Sequence, residues 1–92
     1  DDPDLAKALF NLAVLLTKTN RFKEAEQRMR RALRIMWSIE KATGHALPER
    51  APATKFYRIL LERTGRSPQE ALAATQELKR RYGPSSSGPE AS

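Results

Sequence analysis

Residues 11–21 and 56–66 align without a gap, and that internal echo constrains this chain more than any single motif. Asn11-Leu12-Ala13-Val14-Leu15-Leu16-Thr17-Lys18-Thr19-Asn20-Arg21 pairs with Phe56-Tyr57-Arg58-Ile59-Leu60-Leu61-Glu62-Arg63-Thr64-Gly65-Arg66 at a constant offset of 45. Pro3 and Pro48, and Ala6 and Ala51, keep the same offset, while Ala25 and Ala71 differ by 46, so one residue enters the second turn. A repeat of this length carrying a turn at its centre is a duplicated supersecondary unit, in which each copy buries its apolar face against its neighbours.

The periodicity inside each copy is helical. Leu5, Ala8, Leu9, Leu12, Ala13 and Leu16 recur at steps of three and four, after an Asp2-Pro3-Asp4 start that suits a first helical turn. The first helix is expected to reach about Lys18, with Thr19-Asn20-Arg21 as its turn. Phe22, Ala25, Met29, Ala32, Leu33, Met36 and Ile39 form the apolar face of a long second helix ending at Gly44. Its wet face is read as Lys23, Glu24, Glu26, Gln27, Arg30, Arg31 and Arg34, with Glu24–Arg28 and Glu26–Arg30 as spaced pairs. Pro48-Glu49 opens a third helix, in which Pro52 predicts a kink or a start delayed to about Ala51. Its apolar surface is Phe56, Tyr57, Ile59, Leu60 and Leu61, up to Gly65. The fourth begins with Ser67-Pro68-Gln69-Glu70, a capping box with proline at the first position, and continues through Ala71, Leu72, Ala74, Thr75, Leu78 and Tyr82. Tyr57 and Tyr82 are expected in the core with their hydroxyls reaching solvent. Trp37 packs over the third helix or under the connector, or else marks a surface for a neighbouring unit.

Composition narrows the chemistry. Hydrophobic residues at 39% and charged residues at 30% describe a globular balance in 92 residues, enough for one small domain. With no cysteine, disulfides, thiolate metal sites and cysteine nucleophiles are excluded. His45 is the single histidine, no glycine-rich phosphate loop is present, and the carboxylates are scattered. The chain is therefore expected to be no enzyme, to hold no metal and to need no cofactor. No apolar run approaches the ~20 residues of a membrane span, so no membrane partner is expected. The chain is expected to be cytoplasmic. It opens at Asp1 without methionine and shows no secretory pattern, which reads as excision from a longer protein.

The first copy resembles one family. Leu9, Leu12-Ala13, Leu16, Asn20, Phe22, Ala25, Met29 and Ala32 follow in the order of the tetratricopeptide pattern, whose ordinary period is ~34 residues. The longer period here, the Asn11-Leu12-Ala13 triplet and the Gly44-to-Pro48 connector look like the kinesin-light-chain type found in many bacterial arrays. Arg58 and Ser67 depart from the pattern in the second copy, as in the last repeat of an array. The resemblance implies an all-α fold of two helix-turn-helix hairpins, four helices in a short right-handed α-solenoid. It places a repeat domain at 1–83, with hairpins at about 3–43 and 48–82, and a disordered tail or linker at 84–92. It also implies a protein-interaction scaffold whose first-helix face receives a peptide or partner helix, possibly acidic. By position the peptide-binding residues are then Lys7, Phe10, Asn11, Val14 and Lys18, with Lys55, Phe56, Ile59 and Arg63 from the second copy. Two alternatives stand beside this one. The chain caps an array and self-associates as a homo-oligomer through bare repeat surface. Or its net charge of +6, carried partly by Arg28, Arg30, Arg31 and Arg34, serves nucleic-acid binding. The last is disfavoured by the interspersed Glu24, Glu26 and Glu40 and by the lack of interleaved aromatic residues.

Overall fold

The computed structural model describes residues 2–84, and these are all-helical apart from turns and connectors. Four helices follow in order: α1 Pro3–Lys18, α2 Phe22–Thr43, α3 Arg50–Arg63 and α4 Pro68–Tyr82. The expected tail lies outside the described residues except for Pro84.

Local chemistry explains the boundaries. Asp2 caps α1 by accepting the Asp4 amide at 2.9 Å, with Pro3 in the first turn. The capping box of α4 is complete: Ser67 Oγ accepts from the Glu70 amide at 3.1 Å, and Glu70 Oε1 accepts from the Ser67 amide at 2.8 Å. Gly44 ends α2 with φ of 77°, the left-handed conformation that glycine adopts without steric cost. The two inner turns are the same object 45 residues apart. Arg21 N–H donates to the Leu16 carbonyl at 2.9 Å around Asn20 at φ 61°, and Arg66 N–H donates to Leu61 at 3.0 Å around Gly65 at φ 108°. Each is a Schellman closure, completed by Asn20 N–H to Thr17 and Gly65 N–H to Glu62.

Pro52 gives the late start instead of the kink, with α3 beginning one residue from the expected Ala51 and running unbroken to Arg63. Pro48 and Glu49 form a turn, α3 starts at Arg50, and Pro52 is its third residue, where an amide has no intrahelical acceptor. The first bond of the helix, Ala53 N–H to the Glu49 carbonyl at 2.9 Å, lies one residue beyond it.

The core is assembled around α2, which touches each of the other three helices. Ala25, Met29, Ala32, Leu33, Ile35, Met36 and Trp37 are buried along it, meeting Leu9, Ala13 and Leu16 of α1, Tyr57, Leu60 and Leu61 of α3, and Ala71 and Leu78 of α4 in one cluster. Partners of α2 on α3 run backwards, from Glu26 with Thr64, through Arg30 with Tyr57, to Glu40 with Arg50, so the two helices are antiparallel. Trp37 is buried with the Arg50 guanidinium 4.3 Å from its ring and Lys79 Nζ at 5.6 Å, and a Cβ on Gly83 would come within 2.9 Å of its Cε3.

Three sequence expectations are corrected. Leu5 and Leu12, assigned to the buried stripe of α1, are 38% and 39% exposed, because α1 packs mainly on α2 and covers only the narrower face of Ala6, Leu9, Ala13 and Leu16. Glu26, assigned to the wet face of α2, is 6% exposed, since that face turns beneath the second inner turn. Its carboxylate accepts from Arg30 at 2.8 Å, Thr64 at 3.0 Å and Arg66 at 3.3 Å. Tyr57 is fully buried, and its hydroxyl accepts from Arg30 Nε at 3.2 Å instead of reaching solvent. That bond, together with Glu26, holds the Arg30 guanidinium above its ordinary range. Of the expected i,i+4 pairs, Glu26–Arg30 forms, whereas Glu24 turns back to Arg21.

Glu26 gives a direct test of how the second turn is held to α2. Glu26→Ala strands Thr64 and two arginines that are each nearly half exposed and so partly solvated, and should cost about 2 kcal/mol; Glu26→Gln should cost about half of that. Urea unfolding followed by Trp37 fluorescence reads both values.

Candidate functional site

Phe10 on α1 and Phe56 on α3 meet with ring centroids 6.0 Å apart and planes tilted by 43°. Both are half-buried and packed against the core. Nearer the inner turns, Lys18 of α1 shares a cleft of about 250 Å³ with Phe56, Ile59 and Arg63 of α3. Phe10 with Phe56, then Lys18 with Arg63, sets α1 and α3 parallel along one face. The reason is the duplication: each leading helix ends in the same turn, and the second hairpin repeats the first along α2.

The nine expected residues divide unequally over this face. Lys18, Phe56, Ile59 and Arg63 line the cleft together, and Phe10 joins them through Phe56. Val14 is half-buried, with its carbonyl accepting from Thr17 Oγ1 at 2.6 Å. Asn11 and Lys55 are exposed on their helices and are not part of the cleft wall. Lys7 is drawn aside to Glu49 in the connector at 3.9 Å. Sequence reasoning assigned Phe22 to the core, yet it is half-buried at the cleft, and the Arg63 guanidinium lies 5.4 Å from its ring centroid. The available signal was position: Phe22 directly follows the first inner turn, which brings it beside the end of α3.

Charge on the face is one-sided. Among the described residues Lys18 and Arg63 form no ion pair, so two cations flank the apolar surface of Phe22, Phe56 and the 44%-exposed Ile59, while Lys55, also without an ion pair, lies outside the cleft wall. An arrangement of this kind is chemically complementary to an apolar side chain flanked by a carboxylate. The cation–π contact with Phe22 draws the Arg63 guanidinium toward the cleft, and its N–H groups have no acceptor among the described residues.

Elsewhere, Arg28, Arg30, Arg31 and Arg34 are exposed along α2, with Arg30 committed to Glu26 and Tyr57. His45 lies exposed in the connector, its amide bonded to Thr43 Oγ1. Among the described residues no three His, Asp or Glu side chains converge as a metal site, and no helix is long and apolar enough to cross a membrane.

Phe56 and Ile59 should separate support from contact. Truncating half-buried Phe56 to Ala loses the Phe10 ring and core packing and should cost about 1–3 kcal/mol, whereas Ile59→Ala should stay within about 0.5 kcal/mol. Thermal denaturation of the two variants checks the order. Comparison with protein-family models, with curated proteins and with solved structures gives no match for this chain.

Proposed function

We propose that the chain is a protein-interaction module whose α1–α3 face binds a peptide or partner helix presenting an apolar side chain beside an acidic one. The observation that carries this reading is the cleft in which Lys18 and Arg63, neither in an ion pair among the described residues, flank Phe22, Phe56 and Ile59. Parallel leading helices, repeated Schellman turns and the 45-residue offset support a tetratricopeptide-like solenoid of the kinesin-light-chain, bacterial type. In that reading the ligand lies across α1 and α3, Asn11 contributes backbone hydrogen bonds from the exposed side of α1, and the chain works in the cytoplasm without catalysis or cofactor.

A second reading is favoured by the bare stripe on α1. Leu5, Ala8, Leu12 and Leu15 are exposed, and the residues 45 positions on are Arg50, Ala53, Tyr57 and Leu60, of which the last three are buried in the core that α3 shares with α2. The stripe therefore repeats, without a partner, the surface that α3 uses, as expected of a unit that caps an array or self-associates through it.

Peptides selected against the chain from a random display library test the first reading. Ile59→Glu and Lys18→Glu should each weaken a selected acidic-apolar peptide about tenfold, and Asn11→Ala about threefold. Unchanged affinity in all three variants contradicts the assignment of this face. For the second reading, sedimentation equilibrium should show concentration-dependent association that Leu12→Glu abolishes; a strict monomer at high concentration contradicts it.

A further inference from the structure

Two basic runs far apart in the sequence, one on α2 and one at the end of α4, meet across a single cleft. Arg30, Arg31, Arg34 and Arg81 line a cavity of about 360 Å³ between the helices, together with Leu78 and Tyr82. The Arg34 guanidinium lies 5.8 Å from the Tyr82 ring centroid, within cation–π range. Glu77 is the one carboxylate in the cleft wall, and it is already engaged by Arg80 at 2.6 Å and Arg81 at 3.6 Å. The Arg80 bond keeps the Glu77 carboxyl below the usual carboxylate range, so it remains an acceptor occupied by its own helix. Arg30 is likewise held by Glu26. Arg31 and Arg34 have no carboxylate partner among the described residues.

We propose that this cleft binds a compact phosphorylated ligand, with Arg31 and Arg34 as its principal contacts. Guanidinium forks match phosphate oxygens in paired hydrogen bonds, and two unpaired arginines one helical turn apart offer two such forks to one ligand. Converging cations repel one another, and a multiply charged anion reverses that cost where one carboxylate would satisfy only one fork. The size favours a small ligand over a nucleic-acid strand. A cleft of about 360 Å³ falls at the lower end of ordinary small-molecule sites. Strand-binding surfaces instead present successive open aromatic faces, whereas this cleft wall carries the single ring of Tyr82. The site shares no residue with the α1–α3 face, so it stands or falls independently of the peptide reading.

Calorimetric titration of the whole chain with inorganic diphosphate at low ionic strength tests the proposal. Saturable one-site binding is expected, with Arg31→Gln and Arg34→Gln each weakening it about tenfold. Arg28→Gln, exposed on the same helix but outside the cleft, should change affinity less than about twofold. Amide shifts of the unmodified chain should concentrate around residues 30–34 and 78–82, which keeps the test valid if either variant perturbs folding. The proposal is overturned by the absence of saturable binding at millimolar diphosphate, or by equal weakening in Arg28→Gln. It is also overturned if a single-stranded oligonucleotide binds more tightly than diphosphate with equal dependence on all three arginines, which would identify a diffuse nucleic-acid surface.

Discussion

A carboxylate buried between α2 and the second inner turn couples the two halves of this protein. Glu26 lies on the helix that every other helix touches, and its oxygens accept from Arg30 on its own helix and from Thr64 and Arg66 beyond α3. Burial of an unpaired carboxylate would cost several kcal/mol, so the half-exposed donors decide whether this register is tolerable. Farther along α2, Trp37 does the corresponding work with apolar surface, enclosed by Arg50 and Lys79 and approached so closely by Gly83 that no side chain fits there. Between these two contacts α3 is held antiparallel to α2, and the α1–α3 face follows from that placement.

Both candidate surfaces are consequences of the same duplication. Matched turns close α1 and α3 at corresponding ends, and the two helices run parallel with Phe10 against Phe56 and Lys18 beside Arg63. The trailing helices meet on their own account, and there the arginines of α2 face the basic end of α4. Cations at the end of α4 also suit the negative end of its helix dipole, so their presence has a structural cause apart from any ligand. The same is not true of Arg31 and Arg34, which sit within α2 and have no paired carboxylate among the described residues.

What could be read from the sequence was what is decided locally. The caps at Asp2, Ser67 and Gly44 depend on a few neighbouring residues, and the helix limits they imply agree closely with the structure. Tertiary decisions were less legible. Periodicity marks Leu5 and Leu12 as apolar, but it does not state how many neighbours α1 has, and with one main covering partner their stripe stays half open. Glu26 and the Tyr57 hydroxyl were misread because a polar atom is buried only where distant donors or acceptors reach it, and nothing near them in the chain announces Arg66 to the one or Arg30 to the other. At the candidate site, position in the repeat brought out Lys18, Phe56, Ile59 and Arg63, while Phe22 escaped because an aromatic residue at a helix start reads as core from its own sequence neighbours.

The central claim is that α2 and α3 open together, as one unit joined through Glu26 and Trp37. Native-state hydrogen exchange measures this most directly. Amides of Met29, Leu33 and Met36 on α2 and of Leu60 and Leu61 on α3 should share one opening free energy, equal to that of global unfolding. Exchange of α3 and α4 through a separate, lower-energy opening while α1 and α2 stay protected would contradict it.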